Sequence, residues 1–125
     1  MKKGFVFAAL GLAAAMVIVH VVIGGRLIAR PLLESGLAPL PRLTLYLCWH
    51  GITIVLAGMA LGFADGAFWR KRKDAVIVST AFAFAFFVLG WVYIAVFALS
   101  PLALPQWIAF GPMALCGWLG VRKSD

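Results

Sequence analysis

Two histidines, His20 and His50, sit inside long apolar runs where other ionisable side chains are scarce. Such a placement marks them first as candidates for chemistry. His20 lies six residues before Arg26, and His50 lies eight residues after Arg42. On antiparallel helices those offsets put the imidazoles about 9 and 12 Å below the flanking charges, so at similar depth. Neutral imidazoles at one depth can ligate a transition metal or haem iron. They can also hydrogen-bond a quinone, or donate to a neighbouring carbonyl and hold two helices together. Two ligands are few for zinc, which takes three or four. Helices packed about 8–10 Å apart leave little room for a macrocycle. Haem, metal or quinone binding by His20 and His50 therefore stands as the alternative, and structural histidines as the favoured reading.

The other reactive side chains are sparse. The four acids, Glu34, Asp65, Asp74 and Asp125, fall in loops or at the chain end. Four short spans in this length are similar to the layout of small multidrug resistance exporters. Those depend on a glutamate within the first helix, and the first span here has none. Ser79 and Ser100 lack a histidine-and-acid arrangement, and neither a nucleophile elbow nor HExxH occurs. Cys48 and Cys116 form no CxxC, and their different depths argue against a mutual disulfide. A non-enzymatic role is expected. A small-solute carrier would need a polar cavity, for which Thr44, Thr53, Ser79, Thr80, Tyr93 and the two histidines are the lining candidates.

The elements that must position these residues follow from composition. Of 125 residues 65% are hydrophobic and 12% charged, and the mean hydropathy is +1.07. Such values exclude an ordinary soluble globule and a disulfide-stapled domain. Charge-free tracts of 22, 22 and 47 residues separate Lys3 from Arg26, Arg42 from Asp65 and Asp74 from Arg122. Twenty-two helical residues rise about 33 Å, enough for a bilayer core of roughly 30 Å. The longest tract must turn back, and Ser100-Pro101-Leu102-Ala103-Leu104-Pro105 is its turn signal. The expected fold is an all-α, single-domain membrane four-helix bundle over residues 1–125, with spans at about 5–29, 41–64, 74–99 and 104–121. A barrel would alternate polar and apolar residues, whereas Ala81–Leu89 is continuously apolar. The first apolar run continues through Ile23, longer than a signal-peptide core, so no cleavage is expected.

Basic residues give the orientation. Lys2, Lys3, Arg70, Lys71, Arg72, Lys73, Arg122 and Lys123 fall on one side, against Arg26, Arg30 and Arg42 on the other. This asymmetry predicts that both termini are cytoplasmic. Arg70-Lys71-Arg72-Lys73 reads first as a stop-transfer cluster, and second as a contact for anionic lipid or a protein partner. Arg26, Arg30 and Arg42 read as snorkelling interfacial side chains, with a shallow anion site as the alternative. Nucleic-acid binding is not expected. Trp69, Trp107 and Trp118 suit the headgroup boundary, while Trp49 and Trp91 lie deeper. Gly24-Gly25 loosens the end of the first span, and Pro31 redirects the chain. In the second span Gly51, Gly58 and Gly62 project within about 40° of one another, and Gly58–Gly62 is a GxxxG motif. These glycines serve packing inside the bundle or, more sharply, association with a second copy or a membrane-protein partner.

A resemblance joins this reading. Gly24-Gly25-Arg26 with Ala29-Arg30-Pro31-Leu32-Leu33, followed by Tyr46-Leu47-Cys48-Trp49-His50, is similar to small uncharacterised bacterial four-span inner-membrane proteins. It covers about the first half of the chain. The resemblance implies a bacterial inner membrane and no particular activity.

Overall fold

Unbroken apolar sequence folds as helix here because a helix satisfies every backbone amide within its own segment. The structure is a computed structural model and describes residues 1–69, 72–103, 105 and 107–122. Among these residues there is no strand. Three long helical elements and a shorter fourth appear: α1 (Lys3–Leu33), α2 (Pro39–Trp69), α3 (Lys73–Val96) and α4 (Trp107–Val121). The first three are long and apolar enough to cross a membrane, and α4 is shorter at 15 residues. Each helix packs against its two neighbours, in the closed order α1–α2–α3–α4–α1. The Lys2 amide donates to the Gly120 carbonyl at 2.8 Å, so the chain begins beside the last turn of α4. The two described ends therefore share one end of the molecule.

Several boundaries differ from the expected ones. α1 continues past Ala29 and through Pro31 to Leu33. Over Val19–Ala29 its backbone widens into a π-helix, and the Arg30 amide bonds the Gly25 carbonyl five residues back. Proline in an ordinary helix collides with the carbonyl four residues earlier. The wider turn moves that carbonyl aside, so Pro31 does not redirect the chain. α2 likewise runs past Ala64, with a π-helical last turn from Asp65 to Trp69. α3 ends at Val96, short of Leu99. There the Leu99 amide bonds the Ile94 carbonyl at 3.0 Å and the Ala98 amide bonds the Ala95 carbonyl at 3.4 Å. This is a Schellman cap, with Ala98 at φ 50° in the position that glycine usually takes. A short 3₁₀ turn, Pro101–Ala103, follows within the expected turn region. Arg70, Lys71, Leu104 and Lys123 of the expected spans and clusters lie outside the described residues.

Packing is tightest near the termini. Val6, Phe63, Val76 and Met113 are the largest fully buried side chains there. Small residues make their close approach possible. A Cβ on Gly62 would strike Ser79 Oγ and come within 3.2 Å of the Ala75 carbonyl oxygen. One on Gly117 would strike Thr80 and meet Phe63 at 3.1 Å, and one on Gly120 would meet Val6 at 2.7 Å. Toward the other end, burial in α1 stops at Ala13 and returns only at Ala29, and α2 has no buried residue before Leu56. The large apolar side chains of these outer halves face outward. Water would penalise that distribution, whereas hydrocarbon does not.

Candidate functional site

The outer halves of α1 and α2 carry the histidines. His20 lies on the widened turn of α1, where its ring stacks on the indole of Trp49, with centroids 3.9 Å apart and 13° between planes. Its Nε2 lies 3.3 Å from the Trp49 carbonyl oxygen, which also accepts from Thr53 Oγ1 at 3.2 Å. Gly24, one turn above His20, leaves room for the indole, because a Cβ there would sit 2.6 Å from the Trp49 ring. His20 thus pins α1 to α2 by a stack and a hydrogen bond.

His50 points elsewhere. It is exposed, and Tyr46 meets its ring edge-on at 4.5 Å. Both line a cavity of about 290 Å³ between α1 and α2, whose walls also include Gly25, Arg30, Trp49 and Thr53. His20 is not among its lining residues. The two imidazoles therefore have separate partners, and of the two only His50 lines the cavity. Among the described residues no three of His, Cys, Asp or Glu come close enough together to hold a metal ion.

The outer arginines separate in the same way. Arg30 lines the cavity and donates from Nε to Glu34 Oε1 at 2.9 Å, an exposed pair one turn apart. Arg42 Nη1 reaches the Ser35 carbonyl at 3.4 Å, and Ser35 Oγ caps the Leu32 carbonyl at 2.7 Å, so these two close the loop. Arg26 is exposed and does not line the cavity. At the other end Arg72 pairs with Asp74, and Lys73 is exposed. Trp118 lies under the Arg122 guanidinium at 4.4 Å.

The glycine stripe of α2 is divided by the packing. Gly62 is pressed against α3. Gly51 and Gly58 are exposed, with no atom within 4 Å of a Cβ added at either. Beside them runs a row that glycine spacing alone does not reveal. Leu40, Leu47, Ile54 and Leu61 recur every seven residues, and at 79, 71, 73 and 60% they are the most exposed large apolar residues of Pro39–Ala64. The adjoining row at the same period is Thr44, Gly51 and Gly58, all exposed. At about 100° per residue this face is centred roughly 120° around α2 from the cavity.

A second concavity, about 670 Å³, lies between α3 and α4 among Ile77, Phe84, Phe87, Gly111, Leu115 and Trp118. Thr80 also lines it, but its hydroxyl already donates to the Val76 carbonyl at 2.7 Å. The contact on offer there is predominantly apolar. Cys48 is exposed, Cys116 is half-buried, and both are free.

No family model matches the chain, and no curated protein or solved structure matches it significantly.

Proposed function

We propose that this chain is an integral four-helix bundle of the bacterial inner membrane, with both termini cytoplasmic. It works as a non-enzymatic accessory component by pairing with a second copy of itself through the outward face of α2. The observation that carries this reading is the pair of exposed rows at one period, bulky Leu40, Leu47, Ile54 and Leu61 beside small Thr44, Gly51 and Gly58. A seven-residue repeat keeps one face of a helix against a partner along a shallow left-handed crossing. Two copies related by a twofold axis seat the bulky row of each against the small row of the other. In lipid, where apolar burial gives no net drive, such interlocking and close backbone approach are what favour association. The placement of His20 and Gly62 supports the same division of labour. They hold the fold internally and leave Gly51 and Gly58 free.

The test is the mass of the purified protein in detergent by analytical ultracentrifugation. Wild type should be dimeric. The double variant Gly51→Ile, Gly58→Ile should be monomeric, with helix content and thermal midpoint unchanged. A monomeric wild type, or a dimer indifferent to both substitutions, overturns the reading.

A further inference from the structure

The cavity between α1 and α2 has a lining that the association face does not explain. Its side-chain polar groups are Arg30, Tyr46, His50, Thr53 and the indole of Trp49, and no carboxylate lines it. Arg30 brings a fixed positive charge and further guanidinium N–H groups beyond the one given to Glu34. The Tyr46 hydroxyl can donate, and so can the His50 ring in either tautomer. Thr53 is turned to the Trp49 carbonyl, so Arg30, Tyr46 and His50 are the groups left to meet a ligand. A wall of donors around one cation selects a head group rich in acceptors and negative in charge.

The placement along the helices identifies the source of that head group. Arg30 lies one turn from the outer end of α1, whereas Thr53 and Val21 lie deeper on the same wall. The cavity therefore leads from the level of the outer charges into the apolar zone, past exposed Val21 and Val22. An amphiphile fits this gradient, with its anion at Arg30 and its chains along the outward apolar side chains. We infer that this cavity is a binding site for the phosphate head of an anionic phospholipid, held by Arg30, Tyr46 and His50. The inference rests on the membrane placement proposed above and is independent of self-association, whose face lies elsewhere on α2.

Native mass spectrometry of the detergent-solubilised full chain, titrated with phosphatidylglycerol, tests it. One saturable adduct per chain is expected, bound at least about fivefold more tightly than phosphatidylcholine. Arg30→Gln, Tyr46→Phe and His50→Gln should each weaken it, Arg30→Gln by about tenfold, as the loss of a charge-assisted hydrogen bond implies. Glu34→Gln, which frees the Nε edge of Arg30, should tighten it. Arg42→Gln should leave it unchanged, because Arg42 is at the same end but not in the wall. Equal loss in Arg42→Gln and Arg30→Gln would mean unselective surface charge and overturn the site. Displacement of the adduct by equimolar inorganic phosphate would reduce it to a free-anion site. Tighter binding of decylubiquinone with the same variant dependence would make it a pocket for a neutral carbonyl head, and either result removes the lipid assignment.

Discussion

His20 and His50 differ in the number of bonds they make, and this decides what each substitution does. His20 contributes a stack on Trp49 and a hydrogen bond to its carbonyl. A polar contact between helices in a membrane is worth about 0.6 kcal/mol on average, and an aromatic pair about 0.5–1.5 kcal/mol. His20→Ala should therefore lower stability by about 1–2 kcal/mol, read as a fall in the detergent thermal midpoint. His20→Phe, which keeps a ring over the indole, should recover most of it. His50→Ala touches only the edge of Tyr46 and should leave the midpoint nearly unmoved. A larger effect at His50 than at His20 would refute this assignment of roles. Ala98 is the other single residue with a stored cost. A non-glycine residue in the left-handed region carries about 1–2 kcal/mol. Ala98→Gly should raise stability by about 1 kcal/mol, since the Schellman bonds of Ile94 and Ala95 are already in place. An unchanged or lower midpoint would show the cap is not strained. The sequence made both histidines visible as isolated ionisable groups. It did not show Trp49 as the partner of one and Tyr46 of the other, because which ring lies across from which depends on the rotation of α1, and its widened turn shifts that rotation.

For whole helices, the glycines of α2 test whether packing and association are separable. Gly62→Ile forces a branched side chain against Ser79 and the backbone of Ala75. Overpacking of this kind costs about 1–3 kcal/mol, so Gly62→Ile should lower the thermal midpoint and loosen α2 from α3. Gly58→Ile, only one turn away, meets nothing within 4 Å and should leave the midpoint unchanged while weakening the dimer. Identical behaviour of the two variants would contradict the packing described here. The GxxxG spacing predicted a close-packed face but treated its two glycines alike. They differ because Gly62, like Gly66 beside Val76, faces side chains of α3, whereas Gly58 faces open space. Gly66 itself escaped the sequence reading because the aspartate before it looked like the end of the span. The seven-residue leucine row was legible in principle. Only exposure distinguishes it from the many apolar residues around it.

The molecule as a whole leaves many of its large apolar residues facing outward around a small core, a distribution that water would penalise. Two consequences follow. The protein should resist alkaline extraction from membranes and require detergent, and recovery of folded chain in a detergent-free supernatant would defeat the membrane reading. Because the Lys2 amide is bonded to Gly120, the two described ends share a side. Reporter fusions at either end should be active in the same compartment, the cytoplasm if Lys2, Lys3 and the Arg72-Lys73 region set orientation. Composition and charge spacing alone determined that the chain is helical and the approximate limits of its three long apolar helices. A bilayer's thickness and the need to satisfy backbone amides leave an apolar chain few other choices. Tertiary structure alone decided the use of each polar residue and each glycine. Those uses depend on helix rotation, on the widened turns at Val19–Ala29 and Asp65–Trp69 and on where neighbouring helices diverge, and a uniformly apolar sequence leaves all of these undetermined.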